Sequence, residues 1–263
     1  MAFAFRGGHR IHYQAFGDPA SPPILLIMGL GLSAEAWMTL PERLAKDRFV
    51  LTFDNRGCGG SDVPAAPYTM AALADDALAV LDAAGVAKAD VFGVSMGGMI
   101  AQHLALRHPE RLRKLVLGCT IPEWARQHHP GPRILVELLR VLARRATVQQ
   151  TAALLVGPGF VDTPEGAAAF TRWREAADRG RAKRAALQLG AIALHSTRAD
   201  LGRLRVPTLV LTGDRDRLVR QENSYDLARR IPGAQLHVFA GAGHVFPLER
   251  EAELASKLGE FLA

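Results

Sequence analysis

The sequence predicts an α/β fold: a mostly parallel sheet flanked by helices, with an all-helical segment inserted between two sheet strands. Three observations predict it. Short apolar runs alternate with longer stretches of helical periodicity, the mark of βαβ units. Of the 263 residues, 49% are hydrophobic but only 6% aromatic. Ala, Leu, Val and Gly dominate, which suits doubly covered strands and closely packed helices better than a β-sandwich. From about residue 121 to 205 the alternation stops, and apolar residues recur at helical spacing, as in Ile134, Leu135, Leu138, Leu139 and Leu142. The expected organisation is one sheet core, residues 1–120 and 206–263, with residues 121–205 as a helical cap.

Residues 1–16 read as a hairpin turning at Gly7-Gly8, with Ile11 and Tyr13 alternating with polar neighbours. The run 24–28 (ILLIM) reads as a strand ending at Gly29, and 49–53 (FVLTF) as one ending at Asp54. Strands follow at 90–94, ending at Ser95, and at 114–118; after the insertion come 207–212, ending at Gly213, and 234–239. Helices are expected over 34–46, 69–85, 96–107 and 248–262, with Pro109 closing the third. Open α/β sheets bind ligands outside the carboxyl ends of their strands, so the insertion would roof that site.

Composition excludes several classes. The net charge is +6, but residues 121–205 hold 14 Lys or Arg against 7 Asp or Glu, leaving the remainder near neutral. No basic run is interleaved with aromatics, so no nucleic-acid partner is expected. The Arg-rich segment reads as a solvated helical surface, or as one that attracts anionic substrates. No window reaches the roughly eighteen uncharged apolar residues of a membrane helix, and no secretory signal is visible. A cytoplasmic protein without membrane association is the expectation, with a small-molecule substrate as partner and homo-oligomerisation left open. Cys58 and Cys119 form neither a disulfide framework nor a metal-ligand spacing and read as small buried filler. Nothing resembles a phosphate or zinc site, so no metal and no cofactor are expected.

The strongest chemical signal is Gly93-Val94-Ser95-Met96-Gly97-Gly98, directly after a strand and before a helix. A nucleophilic serine needs a sharp strand-to-helix turn to expose its hydroxyl, and small flanking residues let the backbone close up. The turn also sets the Met96 N–H at a helix start, where it can face a developing oxyanion. A serine needs a base. His244, in Gly241-Ala242-Gly243-His244 after the last strand, is the candidate among nine histidines. A carboxylate should orient it: Asp214 and Asp216 after one strand are candidates, with Glu123 a third. The loop Met28-Gly29-Leu30-Gly31 offers the Leu30 N–H as second oxyanion donor. Met28, Val245 and Phe246, adjacent to these positions, suggest an apolar substrate pocket, with Trp124 a further wall.

These residues carry a resemblance. The chain resembles serine hydrolases of the α/β-hydrolase fold over essentially its whole length. The matching pieces are residues 53–62 (FDNRGCGGSD), the turn Gly93 to Gly98, Gly213 to Asp216, and Gly243-His244. In that family the acid is the Asp three residues past the strand-terminal Gly, so the resemblance assigns Asp216. It implies a mainly structural part for Asp54, Arg56 and Ser61. Residues 61–82 and 96–102 are similar to 3-oxoadipate enol-lactonases and related small esterases, although Met28-Gly29 stands where many relatives have His-Gly. The implied function is hydrolysis of a carboxylic ester or lactone through a Ser-His-Asp triad and an acyl-enzyme. The same residues also fit a carbon–carbon bond hydrolase, a thioesterase, a cofactor-free perhydrolase, or a receptor that binds without turnover.

Overall fold

The computed structural model describes residues 2–179 and 185–263. Eight strands form one sheet: β1 Ala2–Arg6, β2 His9–Phe16, β3 Pro23–Ile27, β4 Phe49–Phe53, β5 Ala89–Val94, β6 Leu112–Gly118, β7 Thr208–Gly213 and β8 Gln235–Phe239. Their order is β1-β2-β4-β3-β5-β6-β7-β8. Only the pairs made by β2 are antiparallel; from β4 to β8 every pair is parallel. The β1–β2 hairpin turns at Gly7 and Gly8, both at positive φ, the geometry glycine supplies without steric cost.

The helices are α1 Leu40–Leu44, α2 Met70–Ala83, α3 Met96–Arg107, α4 Pro132–Leu142, α5 Val148–Leu155, α6 Pro164–Arg179, α7 Ala185–Ala193, α8 Gln221–Arg230, α9 Phe246–Glu249 and α10 Glu251–Leu262. Strand periodicity sorts the core into two layers. Leu25, Ile27, Leu51, Phe53, Val91 and Leu117 pack with α2, α3 and α8. Their chain neighbours Ile24, Leu26, Val50, Phe92 and Val116 pack with α1 and α10 on the other face. Sheet strands buried on both faces read as unbroken apolar runs, which is why the strands were legible.

Two expected helices are broken. Residues 34–46 form a short turn, Ala34–Trp37, a positive-φ Met38, and then α1. Pro41 explains the break, because it lacks the N–H and its ring would clash with the carbonyl of Trp37 in a continuous helix. The last helix begins early, as α9, and restarts as α10 after Arg250, whose N–H closes the first turn on Phe246 O and whose guanidinium turns back to Ala240 O. Met28 has left the strand and opens the loop after β3, while β6 begins two residues before the expected 114.

Helices α4–α7 lie between β6 and β7. The chain enters and leaves this insertion side by side: Trp124 N–H donates to His195 O and Thr197 N–H to Pro122 O. The insertion has its own apolar cluster, with Ile134, Leu154, Phe170 and Trp173, joined from below by Val245. No described helix is long and apolar enough to cross a membrane.

Candidate active site

Ser95 sits between β5 and α3 with φ 54° and ψ −120°, a region that costs a non-glycine residue about 1–3 kcal/mol. The turn is tight on both sides. A Cβ on Gly93 would lie 2.2 Å from Gly97 O, and one on Gly97 2.0 Å from Ile27 O. The strain is held by Ser95 N–H donating to Gly118 O at 2.8 Å and by Thr120 Oγ1 donating to Ser95 O at 2.7 Å. Met96 starts α3, so its N–H is one of the first-turn donors that a helix leaves without an intrahelical acceptor.

His244 and Asp216 come together from loops after β8 and β7. His244 Nδ1 lies 2.8 Å from Asp216 Oδ2. The other oxygen, Oδ1, accepts from Leu218 and Val219 N–H, each at 2.8 Å, which locks the carboxylate. Burial alone pushes the imidazole pKa down, but the Asp216 carboxylate, with Cys119 beside it, outweighs that and holds the histidine well above its ordinary range. The two other carboxylate candidates are engaged elsewhere: Asp214 accepts from Gly241 N–H at 2.7 Å, and Glu123 pairs with Ser196 at the root of the insertion.

Ser95 and His244 line a common cavity of about 470 Å³, roofed by Leu135, Leu138 and Leu142 of α4 and by Trp173 of α6. Met28, Leu30, Trp124 and Val245 line it as well. Phe246 does not. It is wholly buried, stacked on Phe239 with ring centroids 4.8 Å apart, because the first turn of α9 points it down into the sheet layer. The Met96 side chain is likewise in the core, leaving its backbone N–H at the site. The segment at 53–62 works as scaffolding: Asp54 accepts from Ala34 and Gly60 N–H and holds His12 Nδ1, and Arg56 makes a two-point contact with Asp76.

Four further residues shape the site. Gln188, fully buried on α7, accepts from Gly31 N–H at 2.7 Å and donates through Nε2 to Arg56 O and Cys58 Sγ, tying the insertion to the Leu30 loop. Asn55 holds the same loop from below through Met28 O. Glu249 accepts from Gly157 and Gly243 N–H, bridging the insertion to the His244 loop; burial raises its pKa. Cys119, just past β6, lines the cavity close to His244 and Asp216. A polar residue on an otherwise apolar helix, as Gln188 is on α7, was the one available signal.

A hydroxyl on a strained turn, an imidazole fixed by a carboxylate, and helix-start N–H groups are the parts used in nucleophilic acyl transfer. Comparison with known proteins agrees with the fold. The sequence pattern of the alpha/beta hydrolase fold family matches residues 22–251. A poly(3-hydroxyalkanoate) depolymerase of Ectopseudomonas oleovorans is 34% identical over 250 residues, covering 94% of this chain and 86% of that protein. A 2-hydroxymuconate semialdehyde hydrolase of Pseudomonas sp. strain CF600 is 35% identical, covering 92% and 87%. The crystal structure of the enol-lactonase from Burkholderia xenovorans LB400 superposes with a TM-score of 0.86 at 25% identity, covering 99% of each chain.

Proposed function

We propose, since the chain belongs to the α/β-hydrolase fold family and is a hydrolase, that it cleaves carboxylic esters or lactones with Ser95 as nucleophile, His244 as base and Asp216 as the acid that orients the base. The observation that carries this is the His244 Nδ1–Asp216 Oδ2 hydrogen bond on the rim of the cavity that also exposes Ser95 on its strained turn.

On this reading the steps are those of acyl transfer. With Nδ1 committed to Asp216, His244 keeps Nε2 for the Ser95 hydroxyl proton. Ser95 Oγ attacks the carbonyl carbon, and the oxyanion is held by the N–H groups of Met96 and Leu30, each such donor contributing about 3–4 kcal/mol. The tetrahedral intermediate expels the alcohol, which takes the proton from His244. Water then attacks the acyl-enzyme with His244 again as base, releasing the acid and Ser95.

The aliphatic and indole lining of the cavity supports apolar acyl chains. The relative named poly(3-hydroxyalkanoate) depolymerase supports the same substrate class, since that polymer is a polyester; its short oligomers belong in the first substrate panel. The relative named 2-hydroxymuconate semialdehyde hydrolase supports a second reading, carbon–carbon bond cleavage by the same residues.

The test is a series of p-nitrophenyl esters from acetate to octanoate, run on wild type and Ser95→Ala. Sustained turnover of the longer esters, and a loss of about 10⁴–10⁶-fold in kcat in the variant, is the expected result. Wild type inert on every ester, yet active on a vinylogous diketone, would transfer the assignment to carbon–carbon cleavage.

A further inference from the structure

One thiol on the cavity wall has no part in the hydrolysis proposed above. Cys119 follows β6, is 2% exposed, and holds φ at 40° while its N–H donates to Leu211 O. It lines the same cavity as His244. One ligand atom each from Cys119, Asp216 and His244 lie within 4.8 Å of one another. Among the described residues, the other cysteine, Cys58, belongs to no such group and is hydrogen-bonded by Gln188.

A thiolate, an imidazole and a carboxylate together favour a soft or borderline cation over Mg²⁺ or Ca²⁺. Zinc ligands at about 2.0–2.3 Å in a tetrahedron stand roughly 3.3–3.8 Å apart, so the widest separation closes by on the order of 1 Å at most. Asp216 Oδ2 and His244 Nδ1, now 2.8 Å apart, would open slightly if both bind the ion. Asp216 is braced for this: Leu218 and Val219 N–H groups hold Oδ1 and leave Oδ2 to His244. Cys119 and His244 both line the cavity, which gives an ion a way in and leaves its fourth position to water.

We propose that Cys119, Asp216 and His244 form a binding site for a soft divalent cation, Zn²⁺ or Cd²⁺, and that its occupation switches hydrolysis off. The thiol proton and, from the imidazolium, one ring proton leave to solvent, the ring nitrogen not bound to the ion keeping the other. Sulfur, carboxylate oxygen and imidazole nitrogen then each donate an electron pair to the ion, and nothing is oxidised or reduced. If the ion takes Nδ1, the hydrogen bond to Asp216 is lost. If it takes Nε2, the lone pair that receives the Ser95 proton is consumed. Binding rests on the geometry alone, while inhibition rests on the reading of His244 as base.

The test is a Cd²⁺ titration followed by the ultraviolet absorption of cadmium–thiolate, with ester hydrolysis measured on the same samples. Wild type should saturate at one ion per chain, with the rate falling in step. Cys119→Ser and Cys119→Ala should each bind about 10–100-fold more weakly or worse, because losing a ligand costs at least as much as losing one of its supports. Cys58→Ala should respond as wild type. Ser95→Ala should be inactive yet bind Cd²⁺ as wild type does, so failure of the esterase reading stays distinct from failure of the metal site. No thiolate band, an unchanged response in both Cys119 variants, or saturation without loss of rate would overturn the proposal.

Discussion

Strands β4, β5 and β7 are buried from end to end, whereas α4, over the same cavity, buries only Ile134 and leaves Val136 and Leu139 more than half exposed. The sheet fixes every turn that carries a proposed reacting group, using close backbone approaches that admit no side chain at Gly93 or Gly97. The insertion supplies aliphatic walls and few polar contacts. A packed sheet holds atoms to a fraction of an ångström, and a partly exposed helix can change its side chains at little cost. On the proposed reading, the sheet carries the chemistry and the insertion sizes the substrate. Substitutions in the two regions should therefore fail differently.

The largest effect is expected beneath the cavity. Asp216→Asn should lower kcat about 10⁴-fold, as loss of the orienting carboxylate does in other triads. It should also move the pH profile. In wild type, the raised pKa of His244 means activity is lost as pH falls through a value above the ordinary histidine range. Without the carboxylate, burial dominates and that acid limb should shift to lower pH. An acid limb that stays in place would dissociate Asp216 from the base.

In the roof, Leu142→Trp should fill space beside Gly31, where an added Cβ would lie 3.7 Å from Leu142 Cδ2. Octanoate hydrolysis should drop about 10–200-fold in kcat/KM while acetate is nearly unaffected, the discrimination that one or two methylenes of pocket space supply. An equal loss on both esters would mean that the roof positions the reacting groups, contradicting the division between the regions.

This division also governs what the sequence revealed. The strands and the turn at Ser95 were legible because apolar runs and a Gly-x-Ser-x-Gly spacing are local patterns. Asp216 was separable from Asp214 only through family resemblance, since both follow the same strand and only the loop path decides which reaches His244. Phe246 was misplaced because adjacency to His244 says nothing about which way the first turn of α9 points. The partners of Gln188, of Glu249 and of Cys119 were invisible for the same reason: they lie 157, 92 and 6, or 97 and 125 positions away along the chain, and only the fold joins them.

The joints between the two regions should show intermediate sensitivity. Gln188→Leu would leave Gly31 N–H buried without an acceptor, a cost of about 1–3 kcal/mol. The expected outcome is a lower melting temperature together with a lower kcat, because the same N–H belongs to the loop that carries Leu30. A lower melting temperature with kcat unchanged would reduce Gln188 to a purely structural tie.

The smallest effect is expected at the root of the insertion. His195 donates through Nε2 to Ile121 O, leaving Nδ1 to accept from His103 Nε2 at 3.3 Å. Burial lowers their pKa values to about 3 and about 4, from 6.5. Both stay neutral in the folded chain, so their contribution is intact above pH 6.5 and is lost as pH falls toward 4 and 3. His103→Gln with His195→Gln should flatten the fall in melting temperature between about pH 7 and 4, the span over which the unfolded histidines take up protons. Parallel curves would show that other groups govern acid unfolding.

The most direct test of the central claim is intact-mass and peptide mass spectrometry of the protein quenched during turnover of p-nitrophenyl octanoate. The account predicts an octanoyl adduct on Ser95 in wild type and no adduct in Ser95→Ala. An adduct on another residue, or turnover with no acyl-enzyme at any quench time, would contradict it.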